Sequence, residues 1–242
     1  MQRKSLFIIS LLFAVLAAYY AATFFLDNHY YAEAAAKAIN SKSPGEEEVL
    51  GVFNYVTGEI RKFRPRTTGG FLQATARKSL QSGWGECGDY VRASIVLLHF
   101  ANYKAHRVYL KSGRFSHNVV EVFFDGQWRI LDPSIGSYYR NQRGKIATLV
   151  ELKRSAELVR KVEEEKIARG EEPVHLRSSL AAFYREHFYI KWEKNLFTCT
   201  TGWLLGLLGV DTEAIFLPYM VERPRLLLFL FYLYCTGFSR KG

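Results

Sequence analysis

Cys87, His117 and Asp132 have the types and the order that covalent chemistry at a carbonyl needs. Cys87 lies in Gly83-Trp84-Gly85-Glu86-Cys87-Gly88-Asp89, directly ahead of an apolar stretch with helical spacing. A thiol at a helix N-terminus feels the positive end of the helix dipole, which favours the thiolate. The glycines around it let a substrate come close to the backbone. A thiol nucleophile needs a base, and the base needs a group to orient it. His117 opens a strand-like run, and Asp132 closes the next one, just before Pro133. Taken singly, each residue has an ordinary structural use: an inert buried thiol, a strand-end imidazole on a carbonyl, a carboxylate capping a turn. Asp125-Gly126 between the two runs is a strong hairpin signal. An antiparallel hairpin puts the start of one strand beside the end of the other, so His117 and Asp132 become neighbours. With Cys87 at a helix start, catalysis is the better reading of the three together.

The elements that must position these groups are legible nearby. Residues 87–101 read as a buried helix with Val91, Ile95 and Leu98 inward, and 106–111, 117–124 and 127–132 read as strands. A helix followed by antiparallel strands predicts an α+β fold. Upstream, Ser43 as N-cap, Pro44 at the first position and Glu46 completing a capping box predict a helix that buries Val49, Leu50, Phe53, Val56 and Ile60. Residues 63–72 read as a loop. Downstream, 149–169 predicts a charged, solvated helix ending at Gly170, and 178–194 a further helix. Residues 196–210 and 226–238 are strongly apolar but short, since 13 helical residues reach only about 20 Å. Buried core helices, interfacial segments and a tilted second span ending at Arg240 and Lys241 all fit; membrane-adjacent packing is the preferred reading.

Residues 5–26 are uncharged and mostly apolar, long enough as a helix of about 33 Å to cross a bilayer. The apolar run continues through Phe24, Phe25 and Leu26, past the weak cleavage site near Ala21–Ala22, which favours an uncleaved anchor over a signal peptide. Arg3 and Lys4 precede the run, while Lys37 and Lys42 follow it, so the positive-inside count is nearly even. The signal-anchor layout then predicts the N-terminus inside and the main domain outside. The expected organisation is an anchor over 1–26, a helical neck and first helix over 27–62, a core over 63–148 and a helical C-terminal region over 149–242. The chain has 242 residues, 49% hydrophobic and 23% charged, which is a globular balance. Its net charge of +10 is scattered, with no Lys/Arg block, so anionic lipid is the expected counterpart and nucleic acid is not. Three cysteines match neither a disulfide framework nor a zinc site. Cys199 and Cys235 could pair in an oxidising compartment, but read more simply as small buried groups. There is no metal-ligand set and no phosphate-binding loop, so no cofactor is expected.

Three blocks resemble the transglutaminase-like superfamily, which is related to papain: Gly85-Glu86-Cys87-Gly88-Asp89, then His117-Asn118-Val119-Val120-Glu121-Val122, then Trp128-Arg129-Ile130-Leu131-Asp132-Pro133. The resemblance covers roughly residues 75–135. It implies a papain-like core, with Cys87 as nucleophile, His117 as general base and acid, and Asp132 as orienter. It departs from the family at Val119, where an aromatic is frequent, and at Asn102-Tyr103-Lys104-Ala105-His106, where Gly-Ile-Pro-Ala-Arg is usual. Cys87-Gly88-Asp89 is more similar to bacterial members and peptide N-glycanases than to the eukaryotic Cys-Trp form, which argues against protein crosslinking. The implied activity is hydrolysis of a peptide or protein amide through a thioester, or acyl transfer to an amine. The alternative is an inactive module that binds peptides or scaffolds a membrane complex with other membrane proteins.

The remaining residues take lesser roles in this reading. The Cys87 N–H belongs to an oxyanion hole, with Trp84, Gln81 or Gln73 open as a second donor. Trp128 is expected under the hairpin, and His99 and His106 as structural residues. Asp89 is expected to steady the helix start, and Glu121 to pair with a nearby base.

Overall fold

The apolar N-terminal run contains neither Gly nor Pro, so nothing in it interrupts a helix. The computed structural model describes residues 2–39, 44–63, 75–112, 115–169, 183–184, 187–188, 229–230 and 232–235. In it α1 (Gln2–Ala38) runs unbroken through both the expected anchor and the expected neck. From Phe7 to Ala38 it is long and apolar enough to cross a membrane. Its two halves differ in what they touch. Phe7, Leu12 and Phe25 are exposed, whereas Tyr31, Ala34, Ala35 and Ala38 form a buried stripe at helical spacing.

That stripe packs on α2 (Glu46–Glu59) and on the helix carrying Cys87. α2 buries Val49, Val52, Phe53 and Val56, with Leu50 only half-buried. It starts at Glu46, with Gly45 as N-cap at φ 127°, rather than through the expected Ser43 capping box; Ser43 lies outside the described residues. A tertiary contact takes over the cap. The Tyr103 hydroxyl accepts from the Gly45 N–H at 2.7 Å and donates to Glu48 Oε2 at 2.6 Å.

β1 (Lys62–Phe63) then pairs in parallel with β2 (Trp84–Gly85), across α3 (Ala76–Ser82). Thr75 caps α3 by accepting from the Lys78 N–H, and Gly83 ends it in the left-handed conformation. α4 (Cys87–Phe100) follows, as expected over 87–101. Next come β3 (Lys104–Ser112), β4 (Phe115–Phe124), β5 (Gln127–Asp132) and β6 (Ser137–Tyr138). The Asp125-Gly126 turn has φ of 48° and 72°, the paired positive values of a type I′ hairpin.

α5 (Leu149–Arg154) and α6 (Ala156–Ala168) replace the single charged helix expected over 149–169, with the break at Ser155. β7 (His187–Phe188) is extended where a helix over 178–194 was expected, because β3 offers it an edge to pair with. Among the described residues the antiparallel sheet runs β6-β5-β4-β3-β7. The mixed helix and antiparallel sheet architecture is the α+β class. Apolar segment 196–210 lies outside the described residues, while 232–235, within 226–238, are helical.

The sheet is buried on both faces. Val120, Val122 and Phe124 join α4, α2 and α1 in one core, and Val108, Leu110, Val119 and Ile130 join α5, α6, Phe183 and Tyr184 in the other. α1 therefore enters the main core rather than serving as a detached stalk. Its end sits against α2 so tightly that a Cβ on Gly51 would lie 2.4 Å from the Ala38 carbonyl oxygen. Gly51→Ala should thus lower stability by about 1–3 kcal/mol, although alanine is the better helix former. In thermal melts of the detergent-solubilised chain, an unchanged or raised midpoint would show that this helix junction is looser than described.

Candidate active site

The helix start that holds Cys87 is built by its neighbours. The Glu86 N–H donates to Asp89 Oδ2 at 3.0 Å, and buried Arg92 donates to Asp89 Oδ1 at 2.8 Å. Asp89 thus secures the first turn of α4, as its position suggested. Gly85 is required where it stands, because a Cβ there would come within 3.0 Å of Asp89 Cβ and 3.1 Å of Ile60 Cγ2. Tyr90 adds a bond to the Ile60 carbonyl at 2.5 Å. Cys87 is left half-buried at the N-terminal end of a rigid helix.

His117 and Asp132 come from the hairpin. β4 and β5 pair Val120 with Leu131 and Glu121 with Ile130. Continued outward, that register sets Asp132 opposite Val119 and one diagonal step from His117, within reach of long side chains. His117 Nε2 and Asp132 Oδ2 are 2.6 Å apart, and both residues are buried, Asp132 completely. With Nε2 engaged, Nδ1 is the ring nitrogen left to meet the thiol. Ser134 Oγ donates to Asp132 Oδ1 at 3.1 Å, and the Tyr184 hydroxyl lies 3.4 Å from Oδ2. Phe183 sets its ring against the His117 imidazole, with centroids 5.9 Å apart.

The electrostatics follow from this geometry. Burial pushes the Cys87 thiol up, but the hydrogen bond and charge of His117, with hydrogen bonds from Asn118, bring it below the ordinary thiol value. Burial pulls His117 down, but the Asp132 charge and hydrogen bond, with a smaller contribution from Cys87, raise it to about 10. The two shifts have opposite sign and stabilise one state, a thiolate facing an imidazolium. That ion pair occupies the pH window from the lowered Cys87 value up to about 10.

The three residues singled out from the sequence are thus brought together. Of the candidates for a second oxyanion donor, Gln81 and Trp84 are exposed and Gln73 lies outside the described residues. Glu121 is buried and pairs with His106 at 2.9 Å. Trp128 is half-buried against His106 and Phe123 at the turn end of the hairpin, and His99 is exposed. Asn118, Ser134, Phe183 and Tyr184 escape the sequence reading. Asn118 and Ser134 carry a signal in hindsight, being adjacent to residues already chosen. Phe183 and Tyr184 carry none, because fifty residues separate them from Asp132. Among the described residues no cluster of three His, Cys, Asp or Glu side chains could hold a metal ion.

Residues 32–133 match the family model of the transglutaminase-like superfamily. The match opens where α1 turns a face into the core and closes at Pro133, one residue beyond Asp132. Two solved structures are similar to the chain. One is a candidate cysteine protease from Cytophaga hutchinsonii, with 17% identity and a TM-score of 0.37, over 44% of this chain and 37% of that one. The other is a candidate protease from Parabacteroides distasonis, with 18% identity and a TM-score of 0.36, over 41% of this chain and 22% of that one. The chain thus spans well under half the length of either. No curated protein sequence matches it.

The ion pair makes a measurable demand. Alkylation by iodoacetamide, followed on the peptide carrying Cys87, should have its pH midpoint below the ordinary thiol value of about 8.5. The thiolate is present above that midpoint and is lost as pH falls through it. In His117→Ala the midpoint should rise past the ordinary value, because burial remains while the main opposing charge is gone. Equal midpoints in the two proteins would rule out coupling between Cys87 and His117.

Proposed function

We propose that the protein is a membrane-anchored cysteine hydrolase that cleaves a peptide or protein amide through a thioester on Cys87. The observation carrying this reading is the buried His117–Asp132 hydrogen bond, set so that the remaining ring nitrogen serves the thiol. Sγ attacks the carbonyl carbon, forming the S–C bond and moving the C=O π pair onto oxygen. As the tetrahedral adduct collapses, the C–N bond breaks and the leaving amine takes the proton from His117. A water molecule then gives its proton to His117 and attacks the thioester, which releases acid and thiolate. An amine in place of water makes the same site an acyltransferase, so the outcome depends on which nucleophile reaches the thioester. Asp132 keeps the ring oriented and stabilises its charged form.

The membrane reading extends to both ends of the chain. α1 crosses the bilayer with Arg3 and Lys4 on the inner side, and the domain works on the outer side. A second membrane contact at the C-terminal segment is supported by Tyr232, which stacks on Tyr20 at 5.5 Å and meets Phe13 at 6.0 Å. Phe13 and Tyr20 lie two turns apart on the outward half of α1.

Two experiments test these readings. Wild-type protein treated with p-nitrophenyl acetate should gain one acetyl group on Cys87 by mass spectrometry, and Cys87→Ala should gain none there. An unmodified wild-type Cys87 would favour the non-catalytic binding module instead. For topology, cysteines placed singly at Gln2 and at exposed Glu164, with the three native cysteines replaced by serine, report by an impermeant maleimide on intact cells. The Glu164 position should label at once and the Gln2 position only after permeabilisation; the reverse pattern would put the domain inside.

A further inference from the structure

We infer that the side-chain amide of Asn118 is the second oxyanion donor, bonding the Cys87 sulfur before attack and the substrate's carbonyl oxygen during it. The inference rests on Cys87 being the nucleophile. Its first support is strand alternation. His117 and Asn118 are consecutive in β4 and so face opposite ways. His117 turns to Asp132 and Phe183, while Asn118 turns toward the start of α4. Asn118 Nδ2 lies 3.2 Å from Cys87 Sγ. A Cβ on Gly88 would stand 4.0 Å from the same nitrogen, so the amide overhangs the first peptide of the helix. There the leading N–H groups of a helix have no intrahelical acceptor. A carbonyl attacked by Sγ meets the Cys87 N–H on one side and the Asn118 amide on the other.

The second support is an orphan atom. Asn118 Oδ1 is buried and has no hydrogen-bond partner among the described residues. An amide retained for packing alone normally has both ends satisfied, and a buried exception calls for a specific explanation, a bound group among them. Beside a nucleophile, that acceptor suits an N–H donor, which a peptide amide carries. The amide nitrogen also has two hydrogens, one for sulfur and one for the developing oxyanion. No proton leaves Asn118 in this scheme. The π pair of the carbonyl moves onto an oxygen that Asn118 holds by a hydrogen bond, and the pair returns when the C–N bond breaks. The hydrogen bonds of Asn118 also help to hold the thiol below its ordinary value, which fits a donor facing negative charge.

Two rates on the same cysteine separate this role from a structural one. Alkylation by iodoacetamide develops no oxyanion, whereas acylation by p-nitrophenyl acetate does. Measured where the thiolate is fully formed, Asn118→Ala should lose about 100-fold in acylation and change alkylation by far less. Its alkylation midpoint should also move up in pH. Asn118→Asp, of nearly the same size, replaces the donor by an acceptor and should lose acylation at least as strongly. It decides the matter if the alanine variant does not fold. Acylation and alkylation falling together in the folded variants, or neither falling, would overturn the assignment. A wild-type Cys87 that alkylates as an ordinary thiol would overturn the nucleophile reading itself, and it would do so before any Asn118 variant is made.

Discussion

A carboxyl group with no exposure to water governs this structure. Asp132 is buried completely, and an isolated carboxylate in such a place costs several kcal/mol unless it is paired. His117, Ser134 and Tyr184 converge on it from three parts of the chain. The pairing with His117 has a second effect, because a protonated imidazole beside Cys87 draws the thiol toward its charged form. The requirement that stabilises the fold around Asp132 is therefore also the one that favours the Cys87 thiolate. Phe183, set against His117, and Tyr184, beside Asp132, lie beyond the matched residues. The C-terminal region thus completes the site even though none of those residues lies in the matched family region.

The sheet divides its labour by face. Along β4, odd positions from His117 to Glu121 point into the layer covered by α5, α6 and Phe183, and even positions from Asn118 to Phe124 point toward α4. One strand end can therefore present an imidazole and an amide to the same sulfur from two directions. That arrangement demands a fixed register, since a slip by one residue would exchange the two faces. The positive-φ turn at Asp125-Gly126 and the apolar alternation of β4 and β5 both specify it.

The long apolar helix and the core are joined without a break. α1 passes without a break from its exposed apolar half to a stripe of alanines seated on the core. Small side chains allow the helix axes to approach closely, which is why α2 carries a glycine opposite the end of α1. Just past the apolar run, buried Asp27 pairs with Arg77 at 3.5 Å, and Tyr31 accepts from the Arg77 N–H. The start of α3 is thereby tied to α1 near the point where the helix leaves its apolar half.

That Cys87, His117 and Asp132 lie together was legible in the sequence because the signals are local. A helix start, a two-residue turn and the alternation of two strands need only neighbouring residues to declare themselves. The same reasoning placed α4 and β3 to β5 with ends shifted by about two residues or fewer. It failed where a distant group supplied the missing partner. The start of α2 was settled by the Tyr103 hydroxyl instead of a local cap, and β7 became a strand because β3 had an edge to pair. Phe183 and Tyr184 behind the histidine and aspartate, and the amide nitrogen of Asn118 on the sulfur, belong to the same class. Sequence alone determined which residues could react and which elements bear them, since both rest on short-range periodicity. Tertiary structure alone decided what surrounds them, because burial and hydrogen-bond partnership are properties of groups brought together from far apart in the chain.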